Sequence, residues 1–169
     1  MIGSMSPHSA QQRDEYLNLA IKLAVQNVSD GGGPFGAVVV APPDGTVHEG
    51  VNRVTRDHDP TAHAEVVAIR RAAAATKRFD LTGSVLYASC EPCPLCLSAT
   101  LWARIGHVYF AADRHGAARA GFDDAVFYEY FAGTRPELLP VEHAELAASD
   151  EPSTRGGTTR TGRATETGY

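Results

Sequence analysis

The sequence lacks any apolar run that approaches the roughly 18 residues of a membrane-spanning helix. Its first residues also lack the basic stretch followed by an apolar stretch that marks a secretory signal. These two absences predict a cytoplasmic protein that has no membrane partner.

Cysteine is scarce as well. The chain contains three cysteines, Cys90, Cys93 and Cys96. An odd number of cysteines in one short stretch is a poor disulfide framework, because bridges between such close neighbours would leave the rest of the chain unconstrained. A reducing compartment, in which thiolates hold a metal ion, agrees better with this spacing.

A surplus of basic residues is the third absence. The chain has 15 Lys and Arg against 20 Asp and Glu, which gives a formal net charge of −5. A surface that binds phosphate backbones needs clustered Lys and Arg. The charge therefore argues against a nucleic-acid partner, although it is compatible with a small local basic patch.

Length and composition indicate one folded domain followed by a tail. A chain of 169 residues buries enough surface to fold without disulfides, and we predict a domain over residues 1–150. From Ser149 onward Thr, Gly, Ser and Arg dominate and apolar periodicity is lost. Residues 151–169 are therefore predicted to be a tail that cannot fold on its own, and this tail ends in Tyr169.

Hydrophobic periodicity and turn signals predict strands that alternate with helices. The predicted helices span 8–29, 62–76, 94–104 and 123–131, and the predicted strands span 37–40, 47–54, 84–88 and 107–112. A polar turn is predicted at 57–61, and the pattern of 138–146 fits either a strand or a helix. This alternation favours the α/β class, with helices covering a mixed sheet.

The main chemical signal joins a His-x-Glu segment to a Cys-x-x-Cys segment. Cys93 and Cys96 lie near the predicted start of a helix, where the helix end favours thiolates. With His63 they supply three zinc ligands and leave a fourth position open, as in catalytic zinc sites. Glu65 is predicted to move a proton between water on the zinc and the substrate. The two segments together match the signature of zinc-dependent nucleobase deaminases.

Other metal sites agree less well with the sequence. A structural zinc site would need a fourth ligand, which His107 or His115 could supply only through folding. An iron–sulfur cluster would need a fourth cysteine, and the chain has none. We interpret Cys90 as a small core residue beside the site.

Several further segments resemble the cytidine-deaminase superfamily and, within it, the family of bacterial guanine deaminases. They lie at 31–38, 52, 59–65, 90–96, 102–104 and 120–124. The Gly-Phe-Asp-Asp run at 121–124 discriminates best among the members of the superfamily. The resemblance implies a three-layer α/β/α fold with a mixed five-stranded sheet and one catalytic zinc ion per chain. It also implies a homodimer that exchanges its C-terminal segments, so that each segment closes the site of the other chain.

The resemblance assigns roles to individual residues. Glu65 and Asp124 match catalytic proton relays, and His63, Cys93 and Cys96 match the zinc ligands. The matching substrate contacts are Asn52, which hydrogen-bonds the purine, Phe35, Ala64 and Trp102 in the pocket, and Tyr169, which caps the base. Simpler structural roles stand beside these: Asn52 could end a strand, Phe35 and Trp102 could be packing residues, and Asp123 and Asp124 could cap a helix. The tail departs from the family pattern, because 153–168 contains no aromatic residue.

The implied reaction is the hydrolysis of the small purine base guanine to xanthine and ammonia. Guanosine, cytosine, cytidine and a triazine such as ammeline are alternative substrates for the same chemistry. Editing of tRNA adenosine and a non-enzymatic zinc protein are alternatives of other classes.

Overall fold

The structure, a computed structural model, describes residues 8–153. In chain order the elements are α1 (Ala10–Ser29), β1 (Gly36–Ala41), β2 (Thr46–Val51), α2 (Val54–Asp57), α3 (Ala64–Thr76), β3 (Val85–Cys90), α4 (Pro94–Trp102), β4 (His107–Ala112), α5 (Arg114–Arg119) and α6 (Ala125–Phe131), followed by a 3-10 turn at Pro136–Leu138. None of the helices in this part of the chain is long and apolar enough to cross a membrane.

The strands form one mixed sheet in the order β2-β1-β3-β4. β1 is antiparallel to both β2 and β3, whereas β3 and β4 are parallel. A parallel pair cannot be joined by a tight turn, and α4 supplies the crossover between β3 and β4. The prediction of an α/β fold with a mixed sheet is therefore confirmed.

The sheet has four strands among the described residues, where five were expected. The segment 138–146, whose pattern fitted a strand or a helix, has no regular structure beyond the end of the 3-10 turn and is exposed along its length. Among residues 8–153, this segment adds no fifth strand beside β4.

The central strand β1 is buried along its whole length and separates two apolar layers. Ala37 and Val39 face one side, where they pack in a cluster with three alanines of α3 and with Leu86 of β3. Val38 and Val40 face the other side, where they pack with Tyr87 and residues of α1. Burying one such valine contributes about 1.5–3 kcal/mol, so the alternation along β1 fixes helices on both faces and produces the three-layer arrangement.

Two glycines let the helices approach the sheet closely. A Cβ at Gly50 of β2 would lie 2.1 Å from the carbonyl oxygen of Ala64, and a Cβ at Gly36 of β1 would lie 2.3 Å from the carbonyl oxygen of Ala20. Both distances are shorter than any real contact, so larger residues cannot occupy these positions without moving a helix. Gly50 matters for the site because Ala64 is the first residue of α3.

Two short helices, α2 and α5, were not predicted. The strand predicted over 47–54 ends at Val51, because the side-chain Oδ1 of Asn52 accepts a hydrogen bond from the backbone amide of Val54 at 3.3 Å and starts a turn. Arg53 and Asp57 then form an ion pair at 2.6 Å across the single turn of α2. Helices of four to six residues carry too little periodicity to be recognised in a sequence.

Candidate active site

His63 occupies the N-cap position of α3, with extended backbone angles. The loop that leads to it is held by Asp59, whose Oδ1 accepts hydrogen bonds from the amide and the hydroxyl of Thr61 at 2.8 and 2.6 Å. The backbone of Ala62 is tied to the β2 side of the site, because its carbonyl accepts a hydrogen bond from the amide of Arg53 at 2.9 Å. These bonds fix the imidazole at the start of the helix.

Cys93 and Cys96 are placed by the start of α4. Cys93 is the N-cap residue and Pro94 the first helical residue, a position that proline suits because its missing N–H has no partner there in any case. Cys96 lies in the first turn and is buried. The positive end of the helix dipole stabilises thiolates at both positions.

The three donor atoms form a triangle that fits zinc. The two cysteine Sγ atoms are 3.6 Å apart, and each lies 3.5 Å from Nδ1 of His63. Tetrahedral zinc with Zn–S of about 2.3 Å and Zn–N of about 2.0 Å requires edges of about 3.8 and 3.5 Å. The side chains are therefore already spaced as three corners of a zinc tetrahedron, and the fourth corner is left to another ligand.

The protonation of the donor set also suits a metal. The hydrogen bond with Cys96, supported by His63, lowers the pKa of Cys93 to about 4. The pKa of Cys96 is raised by the same hydrogen bond and by burial. The pair thus carries one negative charge and one proton, and that proton leaves when a metal takes both thiolates.

Two carboxyl groups lie close to these donors. Glu65 is only 7% exposed, its Oε2 lies 3.3 Å from Sγ of Cys96, and burial raises its pKa. The pKa of Asp124 is raised by burial and by the charge of Cys93. Asp124 makes no side-chain capping bond to α6, whereas Oδ1 of Asp123 accepts from the amide of Ala125 at 3.0 Å. Of the two neighbouring aspartates, Asp123 therefore has the capping role and Asp124 is left for the site.

A cavity of about 370 Å³ opens over this arrangement. The expected site residues that line it are Phe35, Asn52, His63, Ala64, Glu65, Cys93 and Asp124. The ring of Phe35 meets that of Phe122 edge to face, with centroids 5.0 Å apart. One wall of the cavity is therefore aromatic, and another part of its lining carries the metal donors His63 and Cys93 and the buried carboxyl of Glu65.

The sequence pattern of the cytidine and deoxycytidylate deaminase zinc-binding region matches residues 10–112. The chain belongs to this family of zinc-dependent deaminases. Guanine deaminase of Bacillus subtilis (strain 168) is 50% identical over 118 residues, which cover 69% of this chain and 74% of that protein. The X-ray structure of guanine deaminase from Bacillus subtilis superposes with a TM-score of 0.81 at 40% identity and covers 92% of this chain and 98% of that chain. The tRNA-specific adenosine deaminase of Haemophilus influenzae is 34% identical over 125 residues, which cover 69% of this chain and 72% of that protein.

Trp102 does not line the cavity of the deaminase within its own chain, which corrects the expectation from sequence. Its side chain is 65% exposed and borders a separate surface depression with Leu101 and Arg104. The reason is the helical repeat of α4: Cys96 and Thr100 point inward, and Trp102 lies on the opposite face. Tyr169 lies outside the described residues.

The deaminase cavity has further lining residues that the sequence did not single out. They include Glu91, Arg114 and Phe127. The carboxylate of Glu91 accepts a hydrogen bond from the backbone amide of Arg114 at 3.1 Å, and the hydroxyl of Tyr128 donates to the carbonyl of Pro92 at 3.1 Å. These bonds fasten α5 and α6 to the loop that carries the cysteines. The Gly-Phe-Asp-Asp run was the one sequence signal for this wall.

Cys90, interpreted from sequence as a core residue, is half-buried at the edge of the cavity. Its Sγ donates weakly to the carbonyl of Asp113 at 3.7 Å, and burial raises its pKa. It is not one of the three clustered donors, which agrees with its exclusion from the ligand set.

Proposed function

We propose that this deaminase hydrolyses guanine to xanthine and ammonia. The observation that carries the proposal is the cavity that joins Glu65, Asp124 and Asn52 to the metal donors His63 and Cys93, in a chain 50% identical to a guanine deaminase. Its volume of about 370 Å³ is at the small end of the roughly 300–1,000 Å³ of ligand pockets. A cavity of this size suits a free base better than a nucleotide.

Glu65 is the group that moves protons in the proposed reaction. His63, Cys93 and Cys96 would hold the zinc ion, which when bound would supply a Lewis acid that makes water nucleophilic near neutral pH. Glu65 takes a proton from the attacking water as it adds to C2 of the base, and delivers that proton to a ring nitrogen. Its raised pKa suits this work, since a group that must both accept and donate operates best with a pKa near the working pH.

Asp124 is proposed to assist the second proton transfer. Departure of ammonia requires a second proton on the amino nitrogen. This proton comes from the hydroxyl group added at C2, which becomes the carbonyl of xanthine, and a carboxylate must carry it from the oxygen to the nitrogen. Asp124 lines the same cavity, makes no capping bond, and has a raised pKa. It is therefore the second carboxyl that can hold and pass a proton.

The remaining contacts orient the base. Asn52 offers its side-chain NH2 group, since its Oδ1 already accepts from Val54. Phe35 provides an aromatic face, and Ala64 closes the cavity beside His63 without occupying it. Substrate choice in this chemistry depends on such contacts to the exocyclic groups of the base.

The charge of the cavity favours a base without phosphate. Its described lining contains one arginine, Arg114, and four acidic residues: Glu65, Glu91, Asp123 and Asp124. One arginine beside four acidic residues is not the clustered Lys and Arg that phosphate backbones require, so tRNA adenosine fits the site less well than a neutral base, despite the 34% identity to a tRNA-specific deaminase.

Ammonia release from a panel of compounds tests the proposal directly. The panel contains guanine, guanosine, cytosine, cytidine, adenine and ammeline, with transcribed tRNA as a separate arm. We expect guanine to have the highest kcat/KM. Turnover of a nucleoside or of tRNA with guanine inert would refute the substrate assignment, and no turnover of any compound would favour a non-enzymatic zinc protein.

Replacing Asp124 with Asn should lower kcat for guanine by about 100-fold, the usual contribution of one acid–base group, with zinc per chain unchanged. Asp123→Asn is the matched control, because the amide oxygen can still accept from Ala125, and we expect a loss of less than about threefold. Steady-state ammonia release measures both. Equal activity of Asp124→Asn and Asp123→Asn would assign both proton transfers to Glu65.

The active unit that we propose is a cytoplasmic homodimer with exchanged C-terminal segments. Large apolar side chains that follow β4 are exposed in the single chain: Phe127, Phe131, Leu138, Leu139, Val141 and Leu146. We assign these side chains to the dimer interface, because large exposed apolar patches are characteristic of protein interfaces. Leu101 and Trp102 add a second exposed apolar patch on α4. In this dimer the tail brings Tyr169 over the base, and a reducing compartment keeps the three free thiols reduced.

Tyr169→Ala should raise KM for guanine about tenfold, because the base loses roughly 1.4 kcal/mol of stacking contact, while kcat and the dimer persist. Sedimentation equilibrium and initial-rate kinetics check the two parts. A monomeric enzyme, or an unchanged KM in Tyr169→Ala, would contradict the proposal that the exchanged tail closes the site.

A further inference from the structure

Asn27 is a buried polar residue on a helix that otherwise lies outside the site. It belongs to α1, is 1% exposed, and does not line the cavity. Burying an amide in an apolar setting is unfavourable unless its hydrogen-bonding groups find partners. The partners of Asn27 are therefore a guide to its role.

Both partners of its NH2 group are backbone carbonyls of residues that line the cavity. Nδ2 of Asn27 donates to the carbonyl of Gly33 and to the carbonyl of Asn52, each at 2.8 Å. Its Oδ1 accepts a longer bond of 3.5 Å from Arg56. One side chain thus joins the loop before β1 to the residue that follows β2.

The surrounding backbone leaves little freedom at Asn52. Its amide donates to the carbonyl of Phe35 at 3.0 Å, so both polar groups of its backbone are engaged. The side chain of Asn52 lies against Gly33, where an added Cβ would stand 3.0 Å from Oδ1 of Asn52. Asn27 therefore holds the backbone on both sides of this contact.

We propose that Asn27 is a positioning residue, which clamps Gly33 and Asn52 together and thereby aims the side-chain NH2 of Asn52 into the cavity. The effect on catalysis rests on the proposed function, in which Asn52 binds the base. The clamp orients the base without touching it, so its loss weakens binding more than it slows the chemical steps.

Kinetics of the zinc-loaded full-length protein test this role. Asn27→Ala should raise KM for guanine about tenfold with kcat within about threefold, the size expected for one to two lost hydrogen bonds. In an Asn52→Ala background the same change should alter KM by less than about twofold, because two residues that act through one contact are not additive. Asn27→Ser, whose hydroxyl can donate to one of the two carbonyls, should give an intermediate KM and serves if the alanine variant does not fold.

Asn18→Ala is the matched control. Asn18 lies on the same helix but is exposed, and its side chain bonds only the carbonyl of Asp14 within the described residues. We expect its KM to equal that of the parent. Equal losses from Asn27→Ala in the parent and in the Asn52→Ala background would overturn the proposal, since a general structural role predicts additivity.

A spectroscopic measurement separates this proposal from the choice of substrate. The sequence contains three asparagines, Asn18, Asn27 and Asn52, so protein labelled with 15N-asparagine gives three side-chain NH2 signals. Asn27→Ala or Asn27→Ser should shift the signal of Asn52 and leave that of Asn18 in place. An unmoved Asn52 signal would overturn the clamp whatever the substrate. A moved signal in a protein that does not deaminate guanine would keep the clamp and refute the proposed function.

Discussion

Glu65→Gln is expected to lower kcat for guanine by at least about 1,000-fold, within the range of general acid–base catalysis, while zinc remains bound. Gln has the shape of Glu but cannot accept a proton. The position is only 7% exposed, so bulk water has poor access to replace the missing base. Ammonia release and zinc per chain, measured on the same samples, check the two halves of the expectation.

Zinc should remain bound in Glu65→Gln because of the contact between this side chain and Cys96. Oε2 of Glu65 lies 3.3 Å from Sγ, and an amide NH2 placed there donates to a thiolate, which favours the metal-bound form. Glu91→Gln is the matched control, because this second cavity glutamate accepts from the amide of Arg114 and Gln keeps an acceptor oxygen. We expect it to lose less than about tenfold in kcat. Turnover by Glu65→Gln within tenfold of the parent would contradict the role of Glu65.

The metal donors were predictable from sequence because each is set by a local rule. Cys-x-x-Cys spacing around a proline places two thiols in the first turn of a helix, and His63 precedes another helix start. The folded chain had only to bring two helix N-termini together. The strand β3 leads into the loop before α4, and the missing side chain at Gly50 of β2 lets the start of α3 approach the sheet closely.

The wall of the cavity beyond β4 was harder to predict. Arg114 lies on α5, which is too short to show periodicity. Phe127 lies on the predicted helix 123–131, but the placement of that helix against the cavity depends on single bonds such as the one from Tyr128 to Pro92. The sequence also could not show that Asp123 rather than Asp124 caps α6, because an aspartate at either position is compatible with that role. Trp102 was misplaced for a related reason: its residue type suits a pocket, but the rotation of α4 turns it outward.

The clamp of Asn27 shows a third kind of limit. A single asparagine within a helix pattern carries no signal, since its partners lie in a glycine loop and beyond β2. Only the three-dimensional structure brings the carbonyls of Gly33 and Asn52 within 2.8 Å of one amide nitrogen.

Cys96→Ala should abolish activity together with zinc binding. The three donors form the triangle that fits zinc, and removal of one leaves two protein ligands, fewer than in catalytic zinc sites. Loss of an outer-shell partner already weakens zinc binding by about 10–100-fold, so loss of a ligand should weaken it by more than about 100-fold. Zinc per chain after dialysis against a weak chelator measures the effect.

Cys90→Ala is the control that gives this experiment its meaning. Cys90 has the same side chain, lines the same cavity and is half-buried, yet it is not one of the clustered donors. Its Sγ makes one weak bond to Asp113, so its removal should leave zinc content unchanged. Any general effect of deleting a thiol near the cavity would appear in both variants, whereas loss of a ligand appears in Cys96→Ala alone. Retention of zinc by Cys96→Ala, or its loss from Cys90→Ala, would show that the ion is held by a different set of thiols.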